Sequence, residues 1–237
     1  MQEKEALQNK NEDPKNNPAY WEVAHNLYPL INKPDWNISS LISAAEKAEV
    51  HLSGWPIGVT LNRNDARPKA MNFGIKASIQ SQYDPMYDYW ELHKNGQFYF
   101  KRTLEEGILT YDGKPASERI FHFDTRIRRI TEALLHCKML YEALGVDPKM
   151  TIHFYVNHYD LKGRILRASE QGRHLSMNYK CEENEHKFKK ICSTDLIATD
   201  LKGLVFEIST NLFGIFNWLS YSKTVCDGIV DKFTAGA

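Results

Sequence analysis

FDTRIRRITEALLHCKMLYEAL, residues 123–144, is the stretch that decides the fold class. Phe123, Ile127, Ile130, Leu134, Cys137, Tyr141 and Leu144 recur every three or four positions, which is the spacing of one helix face. Asp124 is the expected N-cap and Gly145 the expected C-terminal stop. Directly downstream, Ile152, Phe154 and Val156 alternate with His153, Tyr155 and Asn157, the two-residue period of a half-buried strand. Upstream, Asn95-Gly96 lies between the aromatic, alternating arms Tyr89–Leu92 and Phe98–Phe100. That arrangement predicts a β-hairpin with a type I′ turn. Phe73, Ile75, Ala77 and Ile79 predict one more strand. An antiparallel sheet packed against a long central helix and a C-terminal helix follows, an α+β fold.

Working outward, the spacing of Trp21, Val23, Leu27 and Leu30 predicts a short helix over 20–31, ended by Pro34. A second helix is expected from 38, capped by Ser39 or Ser40. Gly54-Trp55-Pro56 predicts a strand entry, since proline pushes the residue before it toward extended backbone. A polar loop over 62–70 should follow it. Strands are expected over 161–168 and 175–181, and a helix over 200–219. Residues 1–18 are rich in Lys, Glu, Asn, Gln and Pro and read as a flexible tail, with 19–237 as one domain.

The 30 basic and 30 acidic side chains cancel, which argues against a binder driven by net charge but leaves room for a local basic patch. No run of 18 apolar residues occurs and the first residues lack an apolar signal core, so a cytoplasmic protein without a membrane segment is expected. Cys137, Cys181, Cys192 and Cys226 form no close pair and read as reduced.

Several stretches together carry a family resemblance. They are His51-Leu52-Ser53-Gly54-Trp55-Pro56, the hairpin around Asn95-Gly96, Phe123-Asp124-Thr125-Arg126-Ile127 through Glu132-Ala133-Leu134-Leu135-His136, and Leu161-Lys162-Gly163-Arg164. Over roughly residues 38–220 the chain resembles the C-terminal region of bacterial proteins whose N-terminal domain is of the Schlafen-type, AlbA-like class associated with DNA or ATP. That N-terminal domain is expected to be missing here. The resemblance implies a companion, sensor or regulatory module, in bacterial regulation or phage defence, and transfers no catalytic residue.

Candidate sites follow from residue types. Arg129, Glu132 and His136 fall opposite the Ile127/Leu134 stripe. They read either as a polar site in a groove or subunit contact, with Glu132 and His136 paired, or as a solvated face. Trp55 between glycines reads as a pocket wall or as a structural turn. His153 joins these as a ligand-binding candidate, and with Asp160 and Glu132 it is the acid–base set that a hydrolase or nuclease would need.

Three arginine groups could hold phosphates: Arg63, Arg67 and Lys69; Arg126, Arg128 and Arg129; Arg164, Arg167 and Arg173. Trp90, Phe98, Tyr99 and Phe100 offer a stacking platform or ordinary cross-strand pairs. The spacings of His153/His158 and Cys181/His186/Cys192 match no specific metal motif, so neither a metal nor a cofactor is expected. Glycine-rich phosphate loops and a Gly-x-Ser-x-Gly nucleophile motif do not occur. The leading expectation is a non-catalytic module binding a small ligand or a protein partner. A nucleic-acid-binding accessory protein, a hydrolase or nuclease, and a homo-oligomer held through 212–221 are the alternatives.

Overall fold

The structure is a computed structural model and describes residues 19–30, 36–52, 54–63, 66–80, 86–107, 119–170, 173 and 175–236. The expected tail at 1–18 lies outside these residues, as does the end of the helix expected over 20–31. Nine strands are described: β1 Tyr20–Tyr28, β2 Lys69–Met71, β3 Gly74–Gln80, β4 Tyr87–His93, β5 Phe98–Thr103, β6 Ile120–His122, β7 Thr151–Tyr159, β8 Ile165–Arg167 and β9 Glu185–Cys192. The helices are α1 Ile38–Lys47, α2 Phe123–Ala143, α3 Thr194–Thr199, α4 Leu201–Gly214 and α5 Lys223–Thr234. Seven strands form one antiparallel sheet in the order β2-β3-β4-β5-β1-β7-β9, and β6 and β8 form a small parallel pair. The expected α+β architecture, with a long central helix and C-terminal helices on an antiparallel sheet, is what the chain adopts.

The segment expected as the first helix is the interior strand β1, between β5 and β7. Trp21, Val23, His25 and Leu27 alternate inward and are all buried. The polar His25 at an inward position masked the two-residue period. The 54–59 segment is a loop rather than a strand, and 175–181 contributes only a single bridge, Lys180 to Ile165. Strand β2 starts inside the loop expected over 62–70, β8 is shorter than its expected span, and α4 ends at Gly214.

Asn37 caps α1 by accepting from Ser40 N, in place of Ser39 or Ser40. His122 is the N-cap of α2. Asp124, one residue inside the helix, instead accepts from Ser169 N, Ser169 Oγ and Glu170 N and clamps that loop to the helix start. The hairpin forms where expected, but only Gly96 has positive φ (82°). Gly96 N donates to His93 O and His93 N donates to Gln97 O, so the turn is a three-residue loop closed by a left-handed glycine.

Helix α2 meets α1, α3, α4 and α5, and its buried residues include Arg126, Arg129, Glu132 and His136, while Arg128, Lys138 and Glu142 remain half-buried or exposed. The inner sheet face beneath the helices carries Trp21, Trp90, Phe98, Phe100 and Phe154. The outer face has a different composition. Along it run Tyr20, Glu22, Ala24 and Asn26 of β1, Tyr99 and Lys101 of β5, Tyr155, Asn157 and Tyr159 of β7, and Lys187 and Lys189 of β9. All of these are half-buried or exposed. None of the helices among the described residues is long and apolar enough to cross a membrane.

Candidate functional site

The hairpin register places two charges at apolar positions. In β4 the inward series is Asp88, Trp90, Leu92; in β5 it is Phe98, Phe100, Arg102. Asp88 and Arg102 are cross-strand partners and form a bidentate pair, Nε to Oδ1 and Nη2 to Oδ2 both at 2.7 Å. Both residues are buried. Burying such a pair is tolerable only when its remaining hydrogen-bonding groups are used, and the 54–59 loop uses them. Arg102 Nη1 donates to Trp55 O (3.2 Å), Arg102 Nη2 to Pro56 O (2.9 Å), and Trp55 Nε1 to Asp88 Oδ2 (2.5 Å).

The other side of the same loop is held by α2. Arg129 Nη1 donates to Trp55 O (3.0 Å) and to Glu132 Oε2 (2.8 Å), and Ile57 N donates to Glu132 Oε1 (2.9 Å). Arg129 also pairs with Glu105, in the 3-10 turn Glu105–Gly107 that follows β5. The carbonyl of Trp55 thus joins a sheet arginine to a helix arginine. Burial disfavours charge on Arg129, but Glu132 and Glu105 outweigh it and its pKa is raised. Burial likewise works to raise Glu105, and Arg126 and Arg129 hold it below the usual carboxylate range.

The pairing expected between Glu132 and His136 is absent, because Glu132 turns to Ile57 N and Arg129. His136 packs against Phe98 (ring centroids 4.6 Å) and against Gly58. Burial pushes its pKa down to about 3, and neither ring nitrogen has a hydrogen-bond partner among the described residues. The solvated-face reading of Arg129, Glu132 and His136 is corrected accordingly: the 54–59 loop and the 3-10 turn after β5 cover their side of α2, and the helix turns Arg128, Lys138 and Glu142 toward solvent instead.

A cleft of about 530 Å³ opens over the first turns of α2. It is lined by Leu52, Glu105, Thr125, Arg128, Arg129, Glu170, Lys232, Phe233 and Gly236. Arg128 and Lys232 both pair with Glu170, and Arg129 with Glu105, so the walls alternate in charge with Leu52 and Phe233 between them. Trp55 does not line this cleft. The residue is 40% exposed, and it is tied to the cleft through the carbonyl held by Arg129. Sequence reasoning missed Asp88, Arg102, Glu105, Glu170 and Lys232. The first two were accessible from the hairpin register as charges in an apolar alternation; the others are joined only by tertiary structure.

The three arginine groups do not form one surface. Arg126 is buried beside Glu105 and Glu106, its guanidinium 5.4 Å from the Trp21 ring. Arg164 is buried as well, donating to Asp160 O and Ile120 O. Both are interior cross-links, which corrects their reading as phosphate contacts. Arg128 pairs with Glu170, Arg173 lies 3.8 Å from the same carboxylate, and Arg167 donates to Asn178 Oδ1. Arg63, Arg67 and Lys69 are exposed near the edge strand β2.

His153 lies on the outer sheet face, stacked on Tyr28 (5.0 Å), while Glu132 lies beneath the inner face. Asp160 pairs with Arg119 and Arg164. The sheet therefore separates the acid–base set considered from sequence. Among the described residues no three His, Cys, Asp or Glu side chains converge on a metal position, and the four cysteines are buried thiols. The stacking platform is divided too: Trp90, Phe98 and Phe100 point inward, Tyr99 outward. Of the apolar stretch 212–221, Leu212, Phe213, Phe216, Trp218 and Tyr221 are core, and Leu219 is 87% exposed.

The fold and cleft define an α+β protein with one helix-covered and one open sheet face. No protein-family model, no curated protein and no solved structure matches this chain.

Proposed function

We propose that the protein is a non-catalytic sensor or regulatory module that takes a small polar ligand in the cleft over the start of α2. The observation that carries this reading is the position of Arg129. It lines the cleft, and the same guanidinium holds Trp55 O, which Arg102 holds from the sheet side. A ligand that draws on Arg129 or Glu105 therefore acts on the loop that bridges helix and sheet. Cations outnumber carboxylates along the walls, and Leu52 and Phe233 add apolar surface. These features suit a ligand with an anionic group beside a flat or apolar part. The resemblance of residues 38–220 to the region accompanying Schlafen-type domains supports a companion role in bacterial regulation or phage defence.

The test is calorimetric titration with a panel of nucleoside monophosphates and aromatic carboxylic acids, repeated on Arg128→Ala/Lys232→Ala. Saturable binding by the native protein, lost in the double variant at unchanged melting temperature, is the expected result. Binding that survives the double variant would place the ligand elsewhere, and an unresponsive native protein would remove this ligand class.

A further inference from the structure

We infer, resting on the ligand site proposed above, that the anionic subsite of the α2 cleft is built for a phosphate monoester and that the Glu170 carboxylate occupies it as an internal competitor. Three cations reach Glu170 from separate parts of the chain. Arg128, in the second turn of α2, pairs with its Oε1. Lys232, in the last turn of α5, donates to the same oxygen at 3.1 Å. Arg173 Nη2 lies 3.8 Å from Oε2. Neighbouring carboxylates are engaged elsewhere: Asp124 with the backbone N–H groups of Ser169 and Glu170, Glu105 with Arg129 and Arg126, and Asp231 with Lys202. Three cations therefore face one carboxylate, and Arg173 Nη1 is a buried donor with no hydrogen-bond partner among the described residues. A clasp that only tied α5 to α2 would need one cation for its carboxylate.

The surplus charge lies where a ligand has room. Arg128, Glu170 and Lys232 line the cleft of about 530 Å³ together with Leu52 and Phe233, a size ordinary for small-molecule sites. The cleft opens over the first turns of α2, the end at which a helix dipole favours negative charge. A phosphate monoester is a dianion with three free oxygens, and guanidinium forks with an ammonium match it better than they match a carboxylate. Leu52 and Phe233 offer apolar surface to the ester group.

Glu170 can give way without unfolding the cleft. Its side chain is 24% exposed, so it has a route to water, and partly exposed ion pairs of this kind are individually weak. The backbone beside it stays in place, because Asp124 holds Ser169 N and Glu170 N. The hydrogen bond from Lys232, with the charges of Arg128, Lys232 and Arg173, keeps the Glu170 carboxyl below the usual range and therefore ionised at neutral pH. A neutral side chain at 170 would fill the same space without competing for the cations.

The experiment is calorimetric titration near neutral pH with phenyl phosphate and with benzoate. The proteins compared are native, Glu170→Gln, Arg128→Ala/Lys232→Ala and Glu207→Gln. Glu207 pairs with Lys190 away from the cleft, so its variant removes the same charge without touching the site. Glu170→Gln should tighten phenyl phosphate about tenfold, the combined worth of two or three weak ion pairs. Glu207→Gln should bind as the native protein does, and benzoate should bind less tightly than phenyl phosphate throughout. Thermal melts by circular dichroism confirm that each variant is folded. Binding by Glu170→Gln where the native protein shows none would support the inference as well. Unchanged or weaker binding by Glu170→Gln, with binding still lost in Arg128→Ala/Lys232→Ala, would overturn the competitor and leave the cleft as a ligand site. Equal tightening by Glu207→Gln would overturn it as an effect of net charge, and benzoate binding as tightly as phenyl phosphate would overturn the phosphate class. Absence of binding by both the native protein and Glu170→Gln would overturn it together with the cleft reading.

Discussion

The two faces of the seven-stranded sheet are built from the same strands, one residue out of phase, yet they follow different rules. The inner face lies under α2 and contains charge only where every charge is answered: Arg102 by Asp88 and two loop carbonyls, Arg129 by Glu132, Glu105 and Trp55 O. The outer face mixes Tyr, Lys, Glu and Asn in half-exposed rows whose rings and charges meet one another, as Tyr20 does with Tyr159 and Lys101. The difference teaches that polarity on a strand does not report exposure. A half-buried tyrosine faces outward here and a fully buried arginine faces inward, and what distinguishes them is whether fixed partners surround the charge.

The comparison breaks most sharply at Arg102. Arg102→Ala leaves Asp88 buried without its partner and should cost about 3–5 kcal/mol in urea denaturation. A loss below about 1 kcal/mol would mean that the inner pair is not dry. Next comes Gly58, which has φ +67° and where an added Cβ would lie 2.8 Å from His136 Nε2. Gly58→Ala should cost about 2–4 kcal/mol, combining backbone strain with overpacking.

The inner face also has a pH signature. His136, His25 and His158 are buried and their pKa values lie below the ordinary 6.5, that of His136 at about 3. Below about pH 6.5 the unfolded chain takes up protons that these native rings refuse, so stability falls as pH drops. Each such ring contributes about 1.4 kcal/mol per pH unit through that range. His136→Phe should reduce the slope of stability against pH between 6.5 and 5 by that amount, read from melts at several pH values.

The smallest effect belongs to the outer face. Tyr155→Ser and Lys189→Ser should each change stability by no more than about 1 kcal/mol, since half-exposed cross-strand pairs are worth little more than that. A larger loss would show that these outward side chains hold the sheet together more than half-exposed pairs ordinarily do.

Periodicity alone was enough for α2, β3, the β4–β5 hairpin and β7, because each shows a clean 3.6- or 2-residue repeat. It was misleading at β1, where inward His25 interrupts the apolar alternation, and it overlooked β9, α3 and α5. In β9 the inward positions are His186, Phe188, Lys190 and Cys192, too mixed to read as a buried face. The trio Arg129, Glu132 and His136 was recognisable as a stripe on α2, but its burial was not, since periodicity fixes which residues share a side and not what covers that side. The Arg102–Asp88 pair was within reach of the hairpin register, whereas the Arg129–Glu105 pair and the cleft bounded by Glu170 and Lys232 came from tertiary structure alone. Local sequence sets backbone period and turn chemistry, which are short-range. Whether a charge is desolvated, and which partner answers it, depends on elements far apart in the chain that meet only when the helices close over one face of the sheet.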